Sequence, residues 1–383
     1  MRLGNVFDDG RYEDDREEGK SVGLGAVLTI GAKSQDSSQD GAGSVELPES
    51  RGNFLDIPLE CVEVAGRSLL ERLTERLVAI DVECATILVD ARVSPRIPPF
   101  RDEYPNVSVK VVRDLYSAIT QELADFSQKG IGHAFINSAE AYTETDLLDL
   151  FCFHREARQS VTGTSDKEGP LNLWVVDCAR AQRGELEGFL RDALYDAGRD
   201  AAPRYFIREY VCRLLHPRDL RQLAADILRR SCVTGPSGRQ IRPGVWMDDG
   251  ADVHRRARIV APAYVGRASK VKADALITRF SDIERECCVD SGTVVEDSSI
   301  LANTSVGICL DLCHAVASGN KLWNLERDVL VEIADPSVMR FSSAPRKIAV
   351  PGGERIQALQ QNVVLQKPQM PDTWQFDNNL IQE

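Results

Sequence analysis

The 383-residue chain has no uninterrupted apolar run near the roughly 20 residues that a bilayer-crossing helix needs, which argues against a membrane partner. The first twenty residues are dominated by charge and carry no apolar signal-peptide core, so the expected location is the cytoplasm. Positive charge is also short. Against 59 acidic residues stand 46 Lys and Arg, a formal net charge of −13, and that field repels polyphosphate backbones, so nucleic acid is not an expected partner. The 10 cysteines have no repeated spacing; Cys61, Cys84, Cys178 and Cys212 sit in apolar stretches where a reduced thiol behaves as a small hydrophobe. Cys309, Cys313 and His314 form a C-x3-C-H group without the second ligand pair of a zinc site, and no metal is assigned to them.

What the chain does have is a ladder. Val253, Ile259, Val265, Val271, Ile277, Ile283, Val289, Val295 and Leu301 recur at every sixth position. Two residues before each stands a small side chain: Ala251, Ala257, Ala263, Ser269, Ala275, Ser281, Cys287, Thr293 and Ser299, with Ser305 next. A period of six fits neither the 3.6 of a helix nor simple strand alternation, but it fits a coiled parallel sheet with one inward side chain per short strand. It resembles the hexapeptide repeat of left-handed parallel β-helices, in which three hexads make a triangular coil. Each buried aliphatic contributes about 1.5–3 kcal/mol. The phase places Val265 and Ile277 inward and Lys272 and Glu284 outward.

Ahead of the ladder, strand and helix alternate. GLGAVLTIG (23–31) reads as a buried strand, followed by a Ser/Asp/Gly-rich loop and a helix with Leu69, Leu70, Leu73 and Leu77 on one face. Strands follow at 85–90, 107–112, 133–137 and 171–179, with helices over 115–126 and 143–157, the latter opening with Thr143 three residues before Asp146. A helix near 184–197, a strand over 205–214 and a helix over 217–230 complete the series. The pattern predicts an α/β fold, a mostly parallel sheet with flanking helices. The expected divisions are a mobile acidic segment (1–22), the α/β domain (23–232), the β-helix (245–335) and a tail (336–383).

Several segments resemble the sugar-1-phosphate nucleotidyltransferases, the nucleotide-sugar pyrophosphorylases. Val64-Ala65-Gly66-Arg67-Ser68-Leu69-Leu70-Glu71 is similar to their V-x-G-[KR]-P-L-L-E, and Ala26 to Gly31 to their opening strand. Asp146, Leu150, His154 and Val161-Thr162 resemble D-x3-L-x3-H leading to a V-T strand; Pro217, Asp219 and Leu220 match a further stretch. The resemblance implies a nucleotidyltransferase-like α/β sheet followed by the β-helix, with a nucleotide or nucleotide sugar as partner and Mg2+ as the cofactor of active members.

The functional positions of that family are altered here. Its G-x-G-T-R phosphate loop reads Gly31-Ala32-Lys33-Ser34-Gln35, and the lysine that would meet the sugar phosphate falls at Leu59, beside Pro58. The metal-holding aspartates fall near Asn137-Ser138-Ala139-Glu140 and at Arg213. Magnesium needs hard oxygen ligands, so a cation at one of those positions opposes it. Glu140 and Asp146 are the candidate catalytic carboxylates, with a loop acid and a helix cap as their plain alternatives. Gly31, Lys33 and Arg213 are the phosphate-binding candidates. Hexapeptide proteins also include acyltransferases, for which His254 or His314 would be the general base; Arg255, Arg256 and Arg258 form the dense basic cluster beside His254. Three functions follow: a family member with degraded motifs in a binding, regulatory or assembly role, beside an active paralogue; an active Mg2+-dependent nucleotidyltransferase; and an acyltransferase. A homo-oligomer joined through the β-helix is expected.

Overall fold

The computed structural model describes residues 23–31, 55, 57–94, 104–138, 141–183 and 204–342. Lys33, Gln35, Glu140, the Ser/Asp/Gly-rich loop, the helix expected near 184–197, the segment 1–22 and nearly all of 336–383 lie outside the described residues.

Among the described residues, seven strands form the first sheet: β1 (Gly23–Ile30), β2 (Cys84–Asp90), β3 (Val107–Val112), β4 (Ile131–Ser138), β5 (Val161–Asp166), β6 (Gly169–Asp177) and β7 (Arg204–Phe206). Their order is β7-β5-β6-β4-β1-β2-β3. All neighbours pair in parallel except at β6, which runs antiparallel to both β4 and β5. The helices are α1 (Leu69–Ala79), α2 (Leu115–Gln128), α3 (Leu147–Ala157), α4 (Cys178–Gln182) and α5 (Pro217–Arg229). Alternation along β1 sorts them onto two faces. Ala26, Leu28 and Ile30 pack with Leu70 and Leu77 of α1 and Leu147 and Leu150 of α3. Val27 faces the other way, toward Leu115, Ile119, Leu123 and Phe126 of α2 and Cys178 of α4. A strand covered on both sides reads as one apolar run, as GLGAVLTI does.

Side-chain caps set the helix starts. Ser68 and Glu71 form a reciprocal capping box that opens α1. Helix α3 begins at Leu147, not at Thr143: Asp146 is its cap, and Thr143 ends a short strand, Ala141–Thr143. The strand expected over 205–214 is two pieces, β7 and Val211–Arg213, and the second leaves the main sheet to pair antiparallel with Ala141–Thr143.

The ladder forms three parallel sheets that the chain visits in rotation. The first holds Val245–Met247, Ala263–Val265, Asp282–Ile283, Ser299–Ile300 and Ala315–Ser318. The second runs from Asp252–Val253 through Lys270–Val271 and Cys288–Val289 to Thr304–Val306, and the third from Arg258–Ile259 through Leu276–Thr278 and Val294–Glu296 to Asp311–Cys313. Val265 and Ile277 are fully buried inside, in the phase expected. The period then slips. Val265 pairs with Ile283, eighteen residues on, but Ile283 pairs with Ile300, only seventeen on. The corner after Val295 is one residue shorter, so Ile300 takes the inward place assigned to Leu301. Ser298 and Thr304 likewise replace Ser299 and Ser305 at the corners; the Ser298 N–H donates to Ser281 Oγ (3.2 Å), one coil below. Parallel order ends at Ser318. Lys321–Asn324 and Val329–Glu332 continue the first sheet as antiparallel strands, and Met339–Phe341 closes the second antiparallel to Thr304–Val306.

The displaced Leu301 joins a core that spans both parts: Val64, Leu69, Leu214, Leu220, Leu223 and Ile227 from the α/β side pack with Tyr264, Leu301, Val316 and Trp323 from the coil. That contact corrects the expectation for Glu284. Its side chain leaves the coil interior but is fully buried under the α/β part, where Ala65 N–H donates to Oε1 (2.5 Å) and Gly66 N–H to Oε2 (2.9 Å). Lys272 stays at the surface, paired with Asp290 at 2.9 Å.

Candidate functional site at the ends of the parallel strands

Open α/β sheets place ligands beyond the carboxyl ends of their parallel strands, which here are Ile30, Asp90 and Ser138. Gly31 follows Ile30 with φ +84°, and a Cβ there would lie 2.8 Å from Val93 Cγ2, so glycine is required. Its N–H, the kind of donor a phosphate would use, faces the Glu60 carboxylate instead, at 3.3 Å from Oε1. Glu60 belongs to the short turn Leu59–Cys61 and is buried. Leu59, where the resemblance would put a lysine, packs on the core shared with the coil. Next to β1, the buried Asp90 carboxylate is paired with Arg92 at 2.5 Å, and the hydrogen bond from that guanidinium holds Asp90 below the usual carboxylate range. Glu60 and Asp90 give these strand ends carboxylates where polyphosphate would need donors.

Arg213, where the resemblance would put one metal-binding aspartate, pairs across the short ladder with Ala141. The Arg213 guanidinium is already engaged. It bonds the Asp166 carboxylate and the carbonyls of Gly169 (2.9 Å) and Pro170 (3.1 Å), with Glu168 at 3.5 Å. Burial works against ionisation of Asp166, yet the bonds from Arg213 and from the backbone of Glu168 and Gly169 outweigh it and lower its pKa. Arg213 therefore clamps the β5–β6 turn rather than offering a free anion site. A guanidinium bonded in this way does not fit a magnesium ligand set.

Asp146 accepts hydrogen bonds from Leu148 N–H (2.9 Å) and Asp149 N–H (3.1 Å), the work of a helix cap. His254 is exposed and its Nδ1 accepts from the Arg256 N–H at 3.2 Å; Arg256 itself pairs with Asp274. His314 lies 2.6 Å from Asp297 Oδ2 through Nδ1, and Asp297 Oδ1 also takes a bond from Arg221 (2.7 Å). Cys309, Cys313 and His314 are not brought together: among the described residues no group of three or more His, Cys, Asp or Glu is placed to hold a metal ion. Cys178 and Cys212 are buried, which pushes each thiol up to about 12 and removes it as a nucleophile near neutral pH.

Sequence reasoning missed the ionic cluster beneath the shared core. Arg221 of α5 reaches Asp282 (3.7 Å) and Asp297 (2.7 Å), and Arg285 pairs with Glu63. Asp282 and Glu284 are both fully buried, and burial raises the pKa of each despite those partners. Their charge in a strand-period position was the available signal.

No protein-family model matches the chain, and no curated protein matches it significantly.

Proposed function

We propose that this chain is a divergent sugar-1-phosphate nucleotidyltransferase-like protein with a left-handed β-helix, in which catalysis has given way to a binding, regulatory or assembly role. Support for the ancestry comes from the parallel sheet followed by the three-sheet coil and from where the resembling segments fall. Ala26–Gly31 lies on the central strand, Val64–Glu71 forms the capped entry to α1, and Arg213 pairs with Ala141. The observation that carries the loss is the capture of Gly31 N–H by Glu60, together with the engagement of Arg213 by Asp166. Such a site retains the frame of phosphoryl chemistry without its donors or metal ligands.

Its partners on this reading are a nucleotide or nucleotide sugar, a second copy of the chain, and an active paralogue. Val329, Leu330 and Val331 lie exposed along the outer strand of the extended sheet of the coil that begins at Val245–Met247, an edge suited to self-association. Thermal-shift titration with nucleoside triphosphates and nucleotide sugars tests the binding role, since a ligand selective for the folded state raises Tm. We expect shifts that magnesium leaves unchanged or weakens; shifts that require magnesium contradict the proposal. The acyltransferase alternative would act through His314, whose Nδ1 contact with Asp297 leaves Nε2 as the basic nitrogen. Histidine-dependent thiol release from coenzyme A esters would establish that alternative instead.

A further inference from the structure

A second constellation lies at the opposite end of the first sheet, around the start of β4 and the end of β6. His133 and Asp177 are cross-strand partners there. His154, one turn before the end of α3, packs its ring edge-on against His133, with centroids 5.2 Å apart, and its Nδ1 meets Thr162 Oγ1 at 2.8 Å. His154 is 1% exposed, and its Nε2, like His133 Nδ1, is buried without a hydrogen-bond partner. These rings line an open cavity of about 170 Å3 whose remaining wall includes Arg155, Arg158, Asp177 and Arg180. Asp177 is spent internally: it caps α4 through the N–H groups of Ala179 and Arg180, and the Arg180 side chain approaches it at 3.7 Å. Arg180 also donates to Ser160 Oγ (2.6 Å), which fixes its guanidinium. Among the described residues no carboxylate pairs with Arg155 or Arg158.

The pocket thus holds three guanidinium groups against one carboxylate, over two imidazoles with unused nitrogens, on a chain that is otherwise acidic. We propose that this pocket binds a small phosphate-class oxyanion, held by Arg155, Arg158 and Arg180 above the His133–His154 pair. Guanidinium forks match the oxygens of phosphate, and the cavity has room beyond one phosphate for the rest of a phosphomonoester. Burial lowers the pKa of both histidines, His154 to about 4; His133 and Arg180 add to the depression of His154 and Arg155 to that of His133, and Asp177 opposes both. An anion seated over neutral imidazoles favours their protonation, so binding takes up a proton and strengthens as the pH falls.

The site is independent of the strand ends bearing Gly31 and of the fate of catalysis there. The test uses the full chain, with histidine NMR and calorimetry. Inorganic phosphate and glycerol 3-phosphate are titrated separately to distinguish free phosphate from a phosphomonoester as the natural occupant. We expect saturable binding that shifts the resonances of two of the five histidines, assigned with His133→Gln. Arg158→Gln, at an exposed position, should retain the wild-type Tm without anion and bind about tenfold more weakly, since a charge-assisted bond is being removed. Sulfate, which stays a dianion from pH 5 to 8, should bind more tightly at the lower end. Unshifted histidine resonances, wild-type affinity in Arg158→Gln, or sulfate affinity that does not change with pH would overturn the proposal.

Discussion

Glu284 is the most informative residue to perturb, because its carboxyl ties the coil to the α/β sheet while being wholly removed from water. Burial pushes its pKa well above the ordinary carboxylate range, the charge of Asp282 adds to the effect, and the N–H groups of Ala65 and Gly66 only partly oppose it. Asp282 is hydrogen-bonded to it and faces Arg221, so we place the shared proton on Glu284. Glu284→Ala leaves two buried N–H donors unpaired, each costing about 1–3 kcal/mol, so a loss of about 2–6 kcal/mol is expected in urea unfolding at pH 7. Glu284→Gln keeps an acceptor for one of the two N–H groups and is permanently neutral. The sign of the pH effect follows from proton counting. Between the unfolded pKa, about 4.3, and the raised folded value, the native chain keeps a proton that the unfolded chain has lost. The contribution of this group to stability is therefore full below about pH 4 and declines as pH rises through that window, by at most about 1.4 kcal/mol per unit. Glu284→Gln should accordingly gain on the wild type between pH 5 and pH 8. A Glu284→Ala loss under about 1 kcal/mol, or a Gln-minus-wild-type difference that stays flat with pH, would refute the reasoning.

Other substitutions test the packing. Val265→Asp buries an unpaired carboxylate inside the coil and should cost more than about 4 kcal/mol, whereas Lys272→Asp forfeits only a surface pair and should cost about 1 kcal/mol or less; equal midpoints would contradict the register. Gly66→Ala should destabilise by more than about 2 kcal/mol, because φ is +87° and the added Cβ would lie 2.0 Å from Tyr264 Oη; a wild-type Tm would show that the junction is looser than described. Arg213→Asp should lower stability by releasing the β5–β6 turn and, on the proposed reading, should create no magnesium-dependent turnover, since the phosphate loop would still be altered and such groups act as a unit. Light scattering should find an oligomer at micromolar concentration, and a monomer would remove the assembly part of the proposal.

Much of the fold was legible because burial writes a period into sequence. Strand β1 is apolar throughout because helices cover both faces, and the inward places of Val265 through Val295 follow the hexad because each coil has three similar sides. The shortened corner was illegible: Ile300 and Leu301 are both aliphatic, and Ser298 and Ser299 are both small, so either register satisfies the pattern. Glu284 shows another limit, since a period tells which side of the coil a residue leaves, not what covers it there. The segment 205–214 keeps an apolar texture across two strands belonging to different sheets. At the strand ends, the replacement at Arg213 was visible, but its partners Asp166 and Glu168 are more than forty residues away in sequence. His133 and Asp177 carry no local motif, and the motif that holds His154 does not point to them; the antiparallel return of β6 sets Asp177 beside His133, and His154 comes from α3.

The proposed loss of nucleotidyl transfer is tested most directly by pyrophosphate release from the purified full chain, using a panel of nucleoside triphosphates and sugar 1-phosphates with and without magnesium. With Gly31 N–H facing Glu60 and Arg213 bound to Asp166, we predict release no faster than in controls without protein. Robust release that depends on magnesium would contradict the proposal and show that other acids supply the metal ligands.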